Sequence, residues 1–158
     1  MSALDEKMTE RVWRRDASLW AQWPAGAGVS ANFPADLVAA RAARRFVTDG
    51  LTKTDLPATL IDDARLVVTE LAANAIVHAR SSFSVTVHAH GSGVRLSVRD
   101  SSAVRPTVRP CDPLAASGRG LLLVAALSVD WGVEVTADGK AVWADLRAQD
   151  EIANQQPD

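Results

Sequence analysis

The sequence predicts an α/β (α+β) two-layer sandwich, in which a mixed, largely antiparallel sheet carries helices on one face. Three observations point there. Apolar residues recur at three- and four-residue steps over residues 37–47 and again over 57–79, the period of helices. Apolar and polar residues alternate over 84–90 and 94–99, and residues 133–136 and 141–146 make a second pair of strands. A Gly91-Ser-Gly93 turn joins the first pair and Asp138-Gly139 the second, so each pair is a β-hairpin. The resulting order is strand, helix, helix, hairpin, loop, helix, hairpin, and two layers bury the apolar sides of such a set best.

Taken in order, residues 1–28 show no sustained period. They hold Trp13, Trp20 and Trp23 and end in the flexible Pro24-Ala-Gly-Ala-Gly28, which reads as an extension of uncertain order. Its tryptophans are expected to dock on the domain itself, since exposed Trp is costly. Asn32-Phe-Pro-Ala-Asp36 reads as a short strand ending in a helix start. The helix that follows spaces Leu37, Ala40, Arg44 and Val47 on one side and is expected to stop at Gly50. Pro57 suits the first turn of the longer helix, along which Ile61, Ala64, Val68, Leu71 and Ala75 recur. Residues 101–117, with Pro106, Pro110 and Pro113, read as a long loop, a length that is usually functional or disordered. Gly120–Leu127 reads as a buried helix, and the tail from Gln149 is polar. The expected division is 1–28 extension, 29–147 domain and 148–158 tail.

Composition narrows the function classes. The chain has 158 residues, 47% hydrophobic and 23% charged, which suits one soluble domain and excludes a disordered chain. Residues 1–79 carry 9 basic and 10 acidic groups and residues 80–158 carry 8 and 9, so neither half is a nucleic-acid arm or a polybasic anchor. Cys111 stands alone, which excludes an intrachain disulfide and a multi-cysteine metal site. No run approaches about 18 apolar residues and the N-terminus lacks a signal-like apolar stretch. A cytoplasmic protein, with no membrane and no direct nucleic-acid partner, is the expectation.

Three features carry chemistry. The long helix holds Glu70-Leu-Ala-Ala-Asn74-Ala-Ile-Val-His78, which sets Glu70, Asn74 and His78 on one stripe at about 3.6 residues per turn. Polar stripes are more often solvated faces, but Ala72, Ala73 and Val77 surround this one where a solvated face carries mixed charges. An Asn oxygen is a neutral, hard ligand for Mg²⁺, and a Glu beside it can take a proton from an attacking hydroxyl. Asp100-Ser-Ser102 ends a strand, where a carboxylate can accept from an exocyclic amine. Ser117-Gly-Arg-Gly120 stands before a helix, where backbone N–H groups and the helix dipole suit phosphate. Each of the last two is weak alone. No Walker A loop is present, and the glycines do not follow a strand as a dinucleotide fingerprint must.

In this order, the three resemble the GHKL (Bergerat-fold) ATPase superfamily, and within it the bacterial anti-sigma-factor serine/threonine kinases. The likeness spans residues 30–147. Glu70-Leu-x-x-Asn74-Ala-x-x-His78-Ala looks like the N box, Asp100-Ser-Ser102 like the G1 box and Ser117-Gly-Arg-Gly-Leu121 like the G2 box, with 103–116 as the ATP lid. The resemblance implies ATP and Mg²⁺ as cofactors. Asn74 would hold the metal, Glu70 would be the general base, and Asp100 would read the adenine amine with Ser102 beside it. Gly118 and Gly120 would line the phosphates, Arg119 would touch the γ-phosphate, and Ser117 and Leu121 would complete the cofactor-binding box. Ser102 departs from the usual Asp-x-Gly, which adds a side chain near the base. The implied partner is a sigma factor or an anti-anti-sigma-like regulator, and related kinases are commonly dimers. His78, His88 and His90 lie outside any phosphoacceptor context, which excludes a self-contained sensor histidine kinase. The chain is too short for gyrase- or chaperone-like members. The alternative reading is a non-catalytic module that sequesters its regulator.

Overall fold

A computed structural model describes residues 28–102 and 116–148. The expectations for the tryptophan-bearing extension, for all of the 103–116 lid but its last residue, and for the tail beyond Ala148 lie outside those residues.

Five strands form one sheet: β1 (Gly28–Phe33), β2 (Phe83–His90), β3 (Gly93–Asp100), β4 (Asp130–Thr136) and β5 (Gly139–Arg147), in the order β1-β2-β3-β5-β4. The largely antiparallel sheet expected is antiparallel at every one of these pairings. Three helices, α1 (Leu37–Leu51), α2 (Ala58–Asn74) and α3 (Ala116–Leu127), pack side by side, with α2 in the middle. The helix α1 lies on β1 and β2, and α2 lies on β3 and β5.

Side-chain alternation decides which groups meet in the core. Phe83, Val85 and Val87 of β2, Val94, Leu96 and Val98 of β3, Trp131 and Val133 of β4, and Val142, Ala144 and Leu146 of β5 face the helices. They meet Ala39, Ala43 and Val47 of α1 and Ala64, Val67, Val68 and Leu71 of α2, all buried. The stripe of alanines lets the helices approach the sheet closely. The face turned away from the helices carries a second pairing. Arg95 opposes Asp145 across β3 and β5, forks onto its carboxylate, and lies 4.7 Å from the centroid of the Trp143 ring. Gly132, opposite Trp143, leaves room for that ring: a Cβ there would come within 2.8 Å of it.

Local departures from expectation have physical causes. The helix α1 runs one residue past Gly50, to Leu51, which buries itself in the core; Thr52 N–H closes it by donating to the Thr48 carbonyl. The Asp36 carboxylate caps the start by accepting from Ala39 N–H at 2.9 Å. The second hairpin turns on Ala137-Asp138 rather than Asp138-Gly139. Gly139 already pairs with Thr136 as the first residue of β5. Its φ of 148° and the Asp100 carbonyl oxygen crowding its Cα admit no side chain. The helix α3 begins at Ala116, so Ser117, Gly118, Arg119 and Gly120 belong to its opening turns rather than to a loop before it.

Candidate nucleotide site

Glu70 and Asn74 occupy the last turn of α2, both half-buried. Immediately after Asn74 the helix widens into a π-helical turn, Ala75–Ala79, in which Arg80 N–H donates to the Ala75 carbonyl at 3.1 Å. Arg80 then adopts a left-handed φ of 50° and ends the helix. Such widened turns are rare and are frequent at functional sites. Here the change of pitch breaks the predicted stripe: Glu70 and Asn74 stay on it, whereas His78 is exposed. The Asn74 carboxamide is uncommitted. Its Nδ2 is buried and has no hydrogen-bond partner, a state that buried polar groups rarely keep.

Opposite Glu70 stands Gly120, the fifth residue of α3. A Cβ on Gly120 would sit 2.6 Å from Glu70 Oε2, so the glycine is what lets the carboxylate lie against the helix. Gly120 thus contributes a close approach between α3 and the Glu70 side chain. The next residue, Leu121, is 1% exposed and packs in the hydrophobic core.

Asp100 ends β3 on the face that meets the helices, and the π-helical turn packs against the same strand. Its side chain is buried. Oδ1 accepts from Ser102 N–H at 2.8 Å and from Lys140 Nζ at 3.1 Å, and Oδ2 lies 3.0 Å from the same ammonium. Lys140 is equally buried and is the β5 residue directly opposite Asp100. Sequence reading missed it. No hairpin joins β3 to β5, so only the register of the sheet sets the two side chains opposite each other.

The profile of the histidine kinase-like ATPase domain matches residues 33–146. The chain belongs to that family. The fold agrees: the histidine kinase-like ATPase domain superposes with a TM-score of 0.60 on the crystal structure of the RsbU and RsbW domains of Rv1364c from Mycobacterium tuberculosis. The two are 20% identical, over 77% of this chain and 32% of that one, so this chain spans about a third of the length of that structure. No curated protein matches it. Family membership implies ATP binding.

The residues present suit a nucleotide with its metal. Among the described residues no three His, Cys, Asp or Glu side chains gather for a cation. A Mg²⁺ held mainly by phosphate oxygens and water takes a single neutral oxygen from the protein; the Asn74 carboxamide has one, and with no hydrogen bond holding its Nδ2 the group can turn that oxygen outward. Among the described residues no helix is long and apolar enough to cross a membrane.

Proposed function

We propose that this chain is an ATP-dependent regulatory protein of the anti-sigma-factor kinase type, passing the γ-phosphate of ATP to a hydroxyl of a partner regulator. The observation that carries this reading is the contact of Glu70 with Gly120, one helical turn from Asn74, because it sets a carboxylate and a carboxamide with no hydrogen bond at Nδ2 close to the opening turns of α3. Asp100 accepts from the adenine amine, and Ser102 flanks it. Asn74 offers its oxygen to Mg²⁺. Backbone N–H groups over Ser117, Gly118 and Arg119 hold phosphate oxygens, with the positive end of the helix dipole behind them. Glu70 orients the incoming hydroxyl and takes its proton as the bond to phosphorus forms, the terminal phosphoryl leaving ADP. Bound Mg²⁺ supplies charge neutralisation across the phosphates. A phosphate placed on the partner then breaks its docking surface by charge and desolvation. The partner is a sigma factor or an anti-anti-sigma-like regulator, the pairing that likeness to an RsbW-bearing structure suggests.

Incubation with Mg-ATP and candidate regulators, followed by intact-mass measurement, tests the reading. A phosphate-sized increase on one partner, absent with Glu70→Gln, is expected. Stable binding of a partner with no mass change under any nucleotide would favour the sequestering module.

A further inference from the structure

The two cross-strand ion pairs of this sheet are built differently. Arg95 and Asp145 form a two-bonded fork roofed by Trp143, and the Asp145 side chain keeps 16% exposure, so its remaining acceptor positions reach water. Asp100 and Lys140 do not close on themselves in that way. A carboxylate offers about four acceptor positions and an ammonium three donors. Oδ1 of Asp100 spends both of its positions, on Ser102 N–H and Lys140, while Oδ2 meets Lys140 alone. One acceptor position on Oδ2 and one ammonium hydrogen, on groups 3.0 Å apart, therefore remain among the described residues. Both side chains are about 95% buried, where an unused charge-bearing donor and acceptor are costly.

We propose that Lys140 reads the base together with Asp100 and sets the preference for adenine over guanine. This rests on the nucleotide site proposed above. Adenine presents a donor, its 6-amine, next to an acceptor, N1. That order fits the open Oδ2 position of Asp100 and the third hydrogen of Lys140. Guanine presents the reverse order, an acceptor at O6 and a donor at N1, with a further amine at position 2. To use the same pair it must shift so that its 2-amine faces Oδ1, whose positions are taken. Lys140 is thus a specificity-determining residue, and the ion pair presents it to the base.

Calorimetric titration of the full chain, with Mg²⁺ present, against ATP, GTP and 1-deaza-ATP tests this without any variant. The last keeps the amine and lacks the N1 acceptor. Losing one hydrogen bond to a charged donor should weaken 1-deaza-ATP by roughly 10-fold or more relative to ATP. GTP should bind more weakly than ATP as well. Lys140→Met, which keeps the stem and removes the charge, should weaken ATP and bring the ratio of 1-deaza-ATP to ATP affinities to about one. A purely structural ion pair would lower the melting temperature of the variant and leave that ratio unchanged. Equal binding of ATP and 1-deaza-ATP by the native chain overturns the role of Lys140 and leaves the ATP site standing. Tighter ATP binding by Lys140→Met also overturns it, since the ammonium would then compete with the base. A native chain that binds no nucleotide removes the site itself.

Discussion

Glu70 and Asn74 sit one turn apart on the same helix, yet their substitutions should separate cleanly. Asn74→Ala removes the one uncommitted amide at the end of α2, so Mg-dependent ATP binding should weaken. Glu70→Gln keeps shape and loses proton affinity, so ATP binding should persist. Phosphoryl transfer should nevertheless fall by roughly 10²–10⁴, the usual worth of a positioned general base. Titration and turnover on both variants check this; parental turnover by Glu70→Gln would remove the base from the account. Both residues were legible in the sequence, because three polar groups within an alanine-rich helix are conspicuous. His78 was not legible as an exposed residue, since a constant 3.6-residue period cannot foresee the π-helical turn that begins at Ala75. Lys140 was hidden for another reason: its importance depends on strand register, not on its own neighbours in sequence.

At the scale of elements, the contact of α3 with α2 is the joint on which the site depends. Gly120→Ala favours the helix by roughly 1 kcal/mol on propensity. Its methyl group, however, would displace the flexible end of Glu70, 2.6 Å away. Thermal unfolding should therefore show equal or higher stability while phosphoryl transfer drops. Unchanged transfer would mean that the carboxylate position is immaterial. The helices and hairpins themselves could be read from period and turn residues, but their ends could not. Gly50 falls inside α1 because burial of Leu51 outweighs the cost of one glycine. Gly139 marks a close approach to the Asp100 backbone rather than a turn, and only the packed sheet reveals that.

For the molecule as a whole, pH should act through the face of the sheet away from the helices. Burial first, and the nearby Arg95 charge second, hold the His88 imidazole below its ordinary value of 6.5. The unfolded chain then binds a proton that the folded chain resists. The contribution to stability is full above about 6.5 and is lost as pH falls through the window down to the lowered folded value. Melting temperatures of the native chain and of His88→Gln across that window should converge toward acid; parallel curves would contradict the assignment. The layered architecture was legible because strand and helix periods segregate along the chain. The base end of the site was legible only as Asp100, since its surroundings are assembled from β3, β5 and the residues after them. The most direct test of the account is a calorimetric titration of the native chain and of Asp100→Asn with ATP in the presence of Mg²⁺. The account expects saturable one-site binding by the native chain, weakened in the variant by about 1–3 kcal/mol through the lost acceptor; an unchanged dissociation constant in Asp100→Asn would contradict it.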